Sequence, residues 1–92
     1  MIRSFSNKET RRFFEGNRVK KFQQFEHQAV RRLTILDNAE TLEDLANLPS
    51  NRLKTLSGNR AGGYSIRINK QWRICFRWTL QGPSEVEITD YH

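Results

Sequence analysis

The chain has 92 residues, which is enough for one domain spanning residues 1–92 and excludes a multidomain enzyme. It carries 16 Lys and Arg residues against 10 Asp and Glu residues, a formal net charge of +6. This balance favours a polyanion such as RNA or DNA as partner, with an acidic protein as the alternative. Because the chain has one cysteine, no signal-peptide pattern and no apolar run of about 20 residues, we expect a cytoplasmic protein without membrane contact.

The N-terminal part of the chain predicts a short strand followed by a short helix. Residues 1–6 alternate between apolar and polar side chains, as a strand does. The helix covers residues 8–15 and has Asn7 as its N-cap. Its apolar residues, Phe13 and Phe14, are both expected to point inward.

Two further helices are predicted before residue 50. The longer one covers residues 22–37 and has apolar residues at 3.6-residue spacing. The shorter one begins at Thr41, which forms a pattern close to a capping box with Asp44, and it ends at Pro49. Both helices are expected to bury one apolar stripe, formed by Phe22, Phe25, Ala29, Val30, Leu33, Leu36, Leu42, Leu45 and Leu48.

From residue 51 onward the apolar period changes from 3.6 to 2, which predicts the strands of an antiparallel meander. A short strand around Lys54 is followed by three longer ones, separated by turns at residues 69–71 and 81–83. The chain is therefore predicted to be α+β, with helices packed on the apolar face of a sheet. The sheet residues expected to face the helices are Tyr64, Ile66, Ile68, Trp72, Ile74, Phe76, Trp78, Val86 and Ile88.

The same alternation places Arg67, Arg73 and Arg77 together on the opposite face of the sheet. Three guanidinium groups on one exposed surface repel each other, and a polyanion would relieve that repulsion. Arginine also suits phosphate, because its planar fork binds two oxygens at once. Lys54 at the sheet edge and Arg60 in the following loop could extend this patch.

Other residues offer an alternative to phosphate binding, or argue against a cysteine nucleophile and a metal or cofactor site. Glu85 and Glu87 on the last strand could pair with the arginines, which would make an ordinary solvated face. Cys75 is interpreted as a small, half-buried strand residue, because no neighbouring base favours its thiolate. The sequence has no cysteine pair, no His-x-x-x-His and no phosphate-binding glycine loop, so no metal or cofactor is expected.

The chain ends with Asp90, Tyr91 and His92, three groups capable of proton chemistry. Cleavage of RNA by its ribose 2′-hydroxyl needs a base for that hydroxyl and an acid for the leaving 5′-oxygen. It also needs cations beside the phosphorus. This ending and the arginine face together offer all three, which predicts an RNA-cleaving site.

Five segments of the chain form a recognisable set, namely residues 1–5, 56–60, 64–69, 71–76 and 90–92. Through them the chain resembles the HigB subgroup of the RelE/ParE toxin superfamily, over essentially its whole length. The resemblance implies N-terminal helices packed on a curved antiparallel sheet, and a metal-independent endoribonuclease that cuts messenger RNA on the ribosome. It also implies a helix-turn-helix antitoxin as partner, whose complex with the toxin binds operator DNA.

The resemblance also implies roles for individual residues. Arg73 matches the strand arginine that stabilises the charge of the transition state, and His92 is expected to donate or accept a proton. Tyr91 is expected to stack on a base or orient one, and Asp90 to orient His92 or act as the base. Arg60 matches a basic loop residue of the family that touches RNA phosphate. Apart from the resemblance, RNA contacts are also expected from Arg67, Lys70 and Arg77.

Two positions depart from well-known family members, which have a histidine where this chain has Lys54 and a lysine where it has Ser57. Lys54 still offers positive charge to the site, but a lysine is protonated at neutral pH and is a poor base. Ser57 removes a cation. We therefore expect a milder toxin, or one with different acid and base assignments.

Two other functions compete with the nuclease. The sibling ParE branch poisons DNA gyrase by binding, and a plain RNA-binding module would keep the arginine face without catalysis. His92 favours the nuclease over the gyrase poison, because ParE-like chains generally lack a catalytic C-terminal histidine. Loss of His92 would leave a plain RNA-binding module unaffected.

Overall fold

A computed structural model describes residues 1–90 of the chain. Within these residues, three α-helices and two 3₁₀ turns precede the first of four strands, and a third 3₁₀ turn lies between the first and second strands. The α-helices are α1 (Lys8–Phe14), α2 (Glu26–Asn38) and α3 (Leu42–Ala46), and the 3₁₀ turns are Lys20–Phe25, Pro49–Asn51 and Gly58–Arg60. The strands are β1 (Lys54–Thr55), β2 (Gly63–Arg67), β3 (Trp72–Thr79) and β4 (Gly82–Asp90).

The four strands form one antiparallel sheet in the order β1-β2-β3-β4, as the period-2 pattern predicts. Ile66, Ile74 and Ile88 lie opposite one another across the three long strands. Residues 3–6 run along the outer edge of β4, where Phe5 forms a parallel bridge with Val86. They cover part of an edge that would otherwise expose unpaired backbone groups.

The core lies between the helices and one face of the sheet. Phe22 contributes to it from the first 3₁₀ turn, with its ring 5.9 Å from that of Trp72, and Phe25 stacks on Trp72 at 5.0 Å. Leu33 and Leu36 of α2 and Leu45 of α3 complete the helical side. These contacts confirm the predicted α+β architecture.

Three helical predictions are wrong about burial. Phe14, Val30 and Leu48 are 38%, 48% and 36% exposed, although each was expected to face the core. Phe14 and Val30 directly follow the buried residues Phe13 and Ala29. Successive residues of an α-helix are rotated by about 100°, so Phe14 and Val30 point away from the core. Leu48 lies beyond the last residue of α3, where the helical spacing no longer applies.

The longer predicted helix is also divided in two. Its first residues form the 3₁₀ turn Lys20–Phe25, and the α-helix begins only at Glu26. Phe25 at the junction has non-helical backbone angles, φ −127° and ψ 29°, and no side chain caps α2. By contrast, the predicted capping box of α3 is present, since Thr41 and Asp44 each bind the other's backbone N–H group.

Candidate functional site

The face of the sheet turned away from the helices, here called the outer face, carries the candidate site. Residues directly opposite each other in an antiparallel pair point to the same side. The strand register therefore places the predicted basic residues of the sheet on this face, in the following rows. One row joins Lys54, Ser65, Cys75 and Glu87, the next joins Arg67, Arg73 and Thr89, and Arg77 lies opposite Gly63 and Ser84.

Arg73 lies on the outer face as predicted, but it is not exposed as expected, since only 8% of it reaches solvent. Its Nε donates a hydrogen bond to Oγ of Ser65 at 2.7 Å. Its Nη2 donates to the carbonyl of Arg52 at 2.6 Å and to the carbonyl of Ser65 at 3.3 Å. These contacts hold the guanidinium of the buried Arg73 in one orientation.

The turn that supplies the Arg52 carbonyl is itself held by buried polar contacts. Arg52 adopts a left-handed backbone with φ 45°, uncommon for a residue with a side chain. The preceding Asn51 is fully buried, and its Nδ2 donates to the carbonyl of Leu45 at 3.0 Å. Its Oδ1 accepts from Nη1 of Arg32 at 2.9 Å. The position of Arg73 therefore depends on α2 and α3 as well as on the sheet.

Sequence reasoning did not identify Ser65, Asn51 or Arg52 as part of the site. Ser65 faces Cys75 in the register and reaches Arg73 along the diagonal of the strand pair, two residues away. The Arg52 contribution comes from a backbone carbonyl, which carries no signal in the sequence. Pro49, which favours a turn just before Asn51, is the one local hint.

Arg60 and Arg77 lie beside a cavity of about 230 Å³ on the outer face. Nη2 of Arg60 is 3.2 Å from Oε1 of Glu87, and Nε of Arg77 is 3.6 Å from Oε2 of Glu85. The ion-pair alternative from the sequence is therefore confirmed for these two arginines. The contacts given above for Arg73 are to a serine and to backbone carbonyls.

The remaining predicted RNA contacts lie around this cluster. Lys54 is exposed in β1, at the edge of the sheet next to Ser65. Arg67 lies opposite Arg73, and its Nε donates to the carbonyl of Asn69 at 3.0 Å. Lys70 is exposed in the turn between β2 and β3. The outer face and its adjoining turn thus carry several basic side chains, with Glu85 and Glu87 among them.

Cys75 is fully buried in β3 rather than half-buried as expected, with 2% of it exposed. Burial raises the pKa of its thiol, and the positive charge and hydrogen bond of Arg60 offset this only in part. The thiol stays protonated near neutrality. Cys75 therefore packs inside the site instead of acting as its nucleophile.

The end of β4 brings Asp90 to the margin of the site. Asp90 lies opposite Trp72, so its side chain leaves the strand on the helix side, the opposite face to Arg73. Its Oδ2 accepts a hydrogen bond from Nε2 of Gln71 at 2.8 Å. The preceding Thr89 lies directly opposite Arg73. Tyr91 and His92, the other predicted members of the group, lie outside the described residues.

Among residues 1–90, no group of three or more His, Cys, Asp or Glu side chains is placed to hold a metal ion. Within the same residues, no helix has the length and apolar character needed to span a membrane.

Solved structures define the class of this fold. The chain superimposes on a YoeB/ParE toxin from Agrobacterium tumefaciens with a TM-score of 0.56 and 18% identity, covering 97% of this chain and 98% of the other. It superimposes on YoeB of Staphylococcus aureus, described as a dimer, with a TM-score of 0.58 and 22% identity, covering 99% and 94%. The helices and the four-stranded sheet therefore form the fold of the YoeB/ParE-type toxins.

Sequence comparison gives the family within that class. Residues 3–92 match the model of the HigB-like toxins, described as RelE-like toxins of the type II toxin–antitoxin system HigB. The chain is 38% identical over 80 residues to Toxin HigB-1 of Vibrio cholerae serotype O1, covering 85% of this chain and 84% of that protein. The chain belongs to the HigB-like toxin family, as predicted. A toxin of a type II system acts together with an antitoxin, so membership implies such a partner.

Proposed function

We propose that this toxin is an endoribonuclease that cuts messenger RNA on the ribosome and thereby stops translation and growth. The observation that carries the proposal is the arrangement around Arg73. Its guanidinium is held by Ser65 and by the Arg52 carbonyl on a face that also carries Lys54 and Arg67. A preorganised cation of this kind is what a reaction that builds negative charge on phosphorus requires.

The proposed reaction needs no metal ion. A base removes the proton from the ribose 2′-hydroxyl, and the oxygen attacks the adjacent phosphorus. The bond from phosphorus to the 5′-oxygen breaks, and an acid gives that oxygen a proton. The products are a 2′,3′-cyclic phosphate and a 5′-hydroxyl. We assign Arg73 to the charge that develops on the phosphoryl oxygens.

The proton transfers are assigned to the C-terminal group and its surroundings. His92 is proposed as the proton donor or acceptor, because an imidazole titrates near neutrality. Asp90 is proposed to orient it or to act as the base, which requires its side chain to turn from the helix side of β4 toward the outer face. Tyr91 is proposed to stack on a base of the RNA. Lys54 is proposed to supply a charge on the side of β1, and Arg60, Arg67, Lys70 and Arg77 to contact RNA phosphates.

The proposed partners follow from this activity. The substrate is messenger RNA bound in the ribosome, which places the toxin in the cytoplasm. The antitoxin is proposed to be a helix-turn-helix protein, and the toxin–antitoxin complex to bind operator DNA. Co-expression of the antitoxin should restore growth to cells that are slowed by the toxin alone.

The test is cleavage of a defined messenger RNA in vitro, mapped by primer extension with and without translating ribosomes. The proteins compared are the wild type, Arg73→Ala, His92→Ala and the control His27→Ala, which replaces an exposed histidine of α2. We expect cutting only on ribosomes, lost in the first two variants and kept in the control. If the wild type does not cut under any condition, the nuclease proposal fails, and a gyrase supercoiling assay tests the sibling function.

A further inference from the structure

Two glutamates occupy the positions beside Arg60 and Arg77 that an RNA phosphate would need. Glu87 contacts Arg60 at 3.2 Å and Glu85 contacts Arg77 at 3.6 Å, and both pairs line the cavity of about 230 Å³. The four side chains are between 25% and 61% exposed. Ion pairs that water reaches are weak, so a competing anion can separate them.

A carboxylate and a phosphate present similar groups to an arginine. Each offers a pair of oxygens to the planar fork of the guanidinium, and each forms charge-assisted hydrogen bonds with it. A phosphate can therefore take the place of the carboxylate without a new orientation of the arginine. The cavity beside Arg60 and Arg77 is also lined by Asn59, whose side-chain amide can donate further hydrogen bonds to phosphate oxygens.

The backbone, rather than the ion pair, holds Glu85 at the cavity. The register between β3 and β4 shifts near this residue, which marks a bulge, and Glu85 has φ 51°. Its N–H group donates to Oγ of Ser4 at 2.9 Å, and its carbonyl accepts from Oγ of Ser6 at 2.9 Å. A left-handed backbone is costly for a residue with a side chain, so this position depends on the two serines.

We infer that the cavity is a binding subsite for a backbone phosphate of single-stranded RNA, and that Glu85 and Glu87 occupy it in the free protein. RNA must displace these carboxylates to reach Arg60 and Arg77. The two glutamates thereby set the affinity of the outer face for RNA and weaken it below what its arginines alone would give. The inference rests on the proposed function only in taking RNA as the ligand.

The experiment measures binding and not cleavage. A labelled single-stranded oligonucleotide with 2′-O-methyl groups keeps its phosphates but cannot be cut by 2′-hydroxyl attack. Its dissociation constant is measured by fluorescence anisotropy for the wild type, Glu85→Gln, Glu87→Gln and the control Glu43→Gln. Glu43 is an exposed acid of α3, so the control makes the same change in net charge away from the cavity.

We expect Glu87→Gln and Glu85→Gln each to tighten binding by about two- to fivefold at an ionic strength of about 0.1 M, where distant charges are largely screened. The control should tighten it by much less. In an Arg60→Gln background the gain from Glu87→Gln should disappear, because the competition is for that arginine.

Three results would overturn the inference. The gain could be the same in the control, which would make it an effect of net charge alone. Binding could weaken without the glutamates, which would mean that they hold the arginines in the binding orientation. The wild type and both glutamate variants could also show no binding of the oligonucleotide. If the ribosomal assay shows cutting while any of these results is found, the subsite is wrong and the proposed function stands.

Discussion

Ser65→Ala tests whether the contacts of Arg73 matter to the reaction. Ser65 is fully buried, and its Oγ accepts a hydrogen bond from Nε of Arg73 at 2.7 Å. The change removes this acceptor. It leaves the second contact, from Nη2 to the carbonyl of Ser65 at 3.3 Å, because alanine keeps that carbonyl. The guanidinium therefore loses one defined partner and keeps its other named ones.

The size of the effect follows from the type of bond lost. A hydrogen bond to a charged group contributes about 1.5–3 kcal/mol. If the whole loss appears in the transition state, kcat falls by about 10- to 150-fold, since 1.36 kcal/mol is about a factor of ten in rate. Because the proposed RNA contacts are made by other arginines of the outer face, KM should change by less than about twofold.

The assay is ribosomal cleavage at saturating and limiting messenger RNA, together with urea unfolding of each variant. Ser84→Ala is the matched control, because Ser84 is a serine of the same face that lies opposite Arg77. We expect the control to cleave like the wild type. If Arg73→Ala is inactive while Ser65→Ala cuts at the wild-type rate, Ser65 does not position Arg73 for the reaction. A rise in KM with unchanged kcat would instead make Ser65 a residue of RNA binding.

Three further predictions concern stability and reactivity. Asn51→Ala should lower the free energy of unfolding by about 2–4 kcal/mol, because the oxygen and the nitrogen of this fully buried amide both form hydrogen bonds. Urea unfolding measures this change, and a loss of less than about 0.5 kcal/mol would contradict the prediction. Hydrogen bonds from the backbone N–H groups of Glu40 and Thr41 lower the pKa of Asp44, so its stabilisation is present above the ordinary pKa of 3.8 and disappears as the pH falls through the lowered value. Thermal unfolding between pH 2 and 6 should show a smaller acid-induced drop in Asp44→Asn than in the wild type, and equal drops would refute this. The thiol of Cys75, whose pKa burial raises, should react with a disulfide reagent at pH 8 only after unfolding, and fast labelling of the native protein would contradict the buried position.

The sheet and its two faces could be predicted from the sequence, because successive side chains of a strand point to opposite faces. Once Ile66, Ile74 and Ile88 face the helices, Arg67 and Arg73 must face the other way. The capping box of α3 was equally readable, because Thr41 and Asp44 act on the backbone within one turn. Local rules of this kind need no knowledge of distant parts of the chain.

The burial of Arg73 could not be predicted in the same way. The hydrogen bonds of Arg73 go to Ser65, which lies diagonally across the pair of strands, and to the carbonyl of Arg52. Any residue with the backbone conformation of Arg52 would offer the same carbonyl. The bulge at Glu85 is a second example, since it arises from Ser4 and Ser6 at the other end of the chain. Contacts between segments far apart in sequence leave no periodic pattern, and they decide the detailed geometry of this site.

The pairing of residues 3–6 with β4 has a consequence for how the fold is made. Ser4 and Ser6 contact Glu85 across 81 and 79 positions of sequence, and Thr10 accepts from the N–H group of Ile88 across 78. Such contacts close long loops, and they form only after β4 has been synthesised. Residues 3–6 therefore have to wait for a strand that is made much later than they are. A nascent chain that stops before Glu85 lacks the bulge, the edge of the sheet and one wall of the basic cavity, so the outer face is complete only once β4 is present.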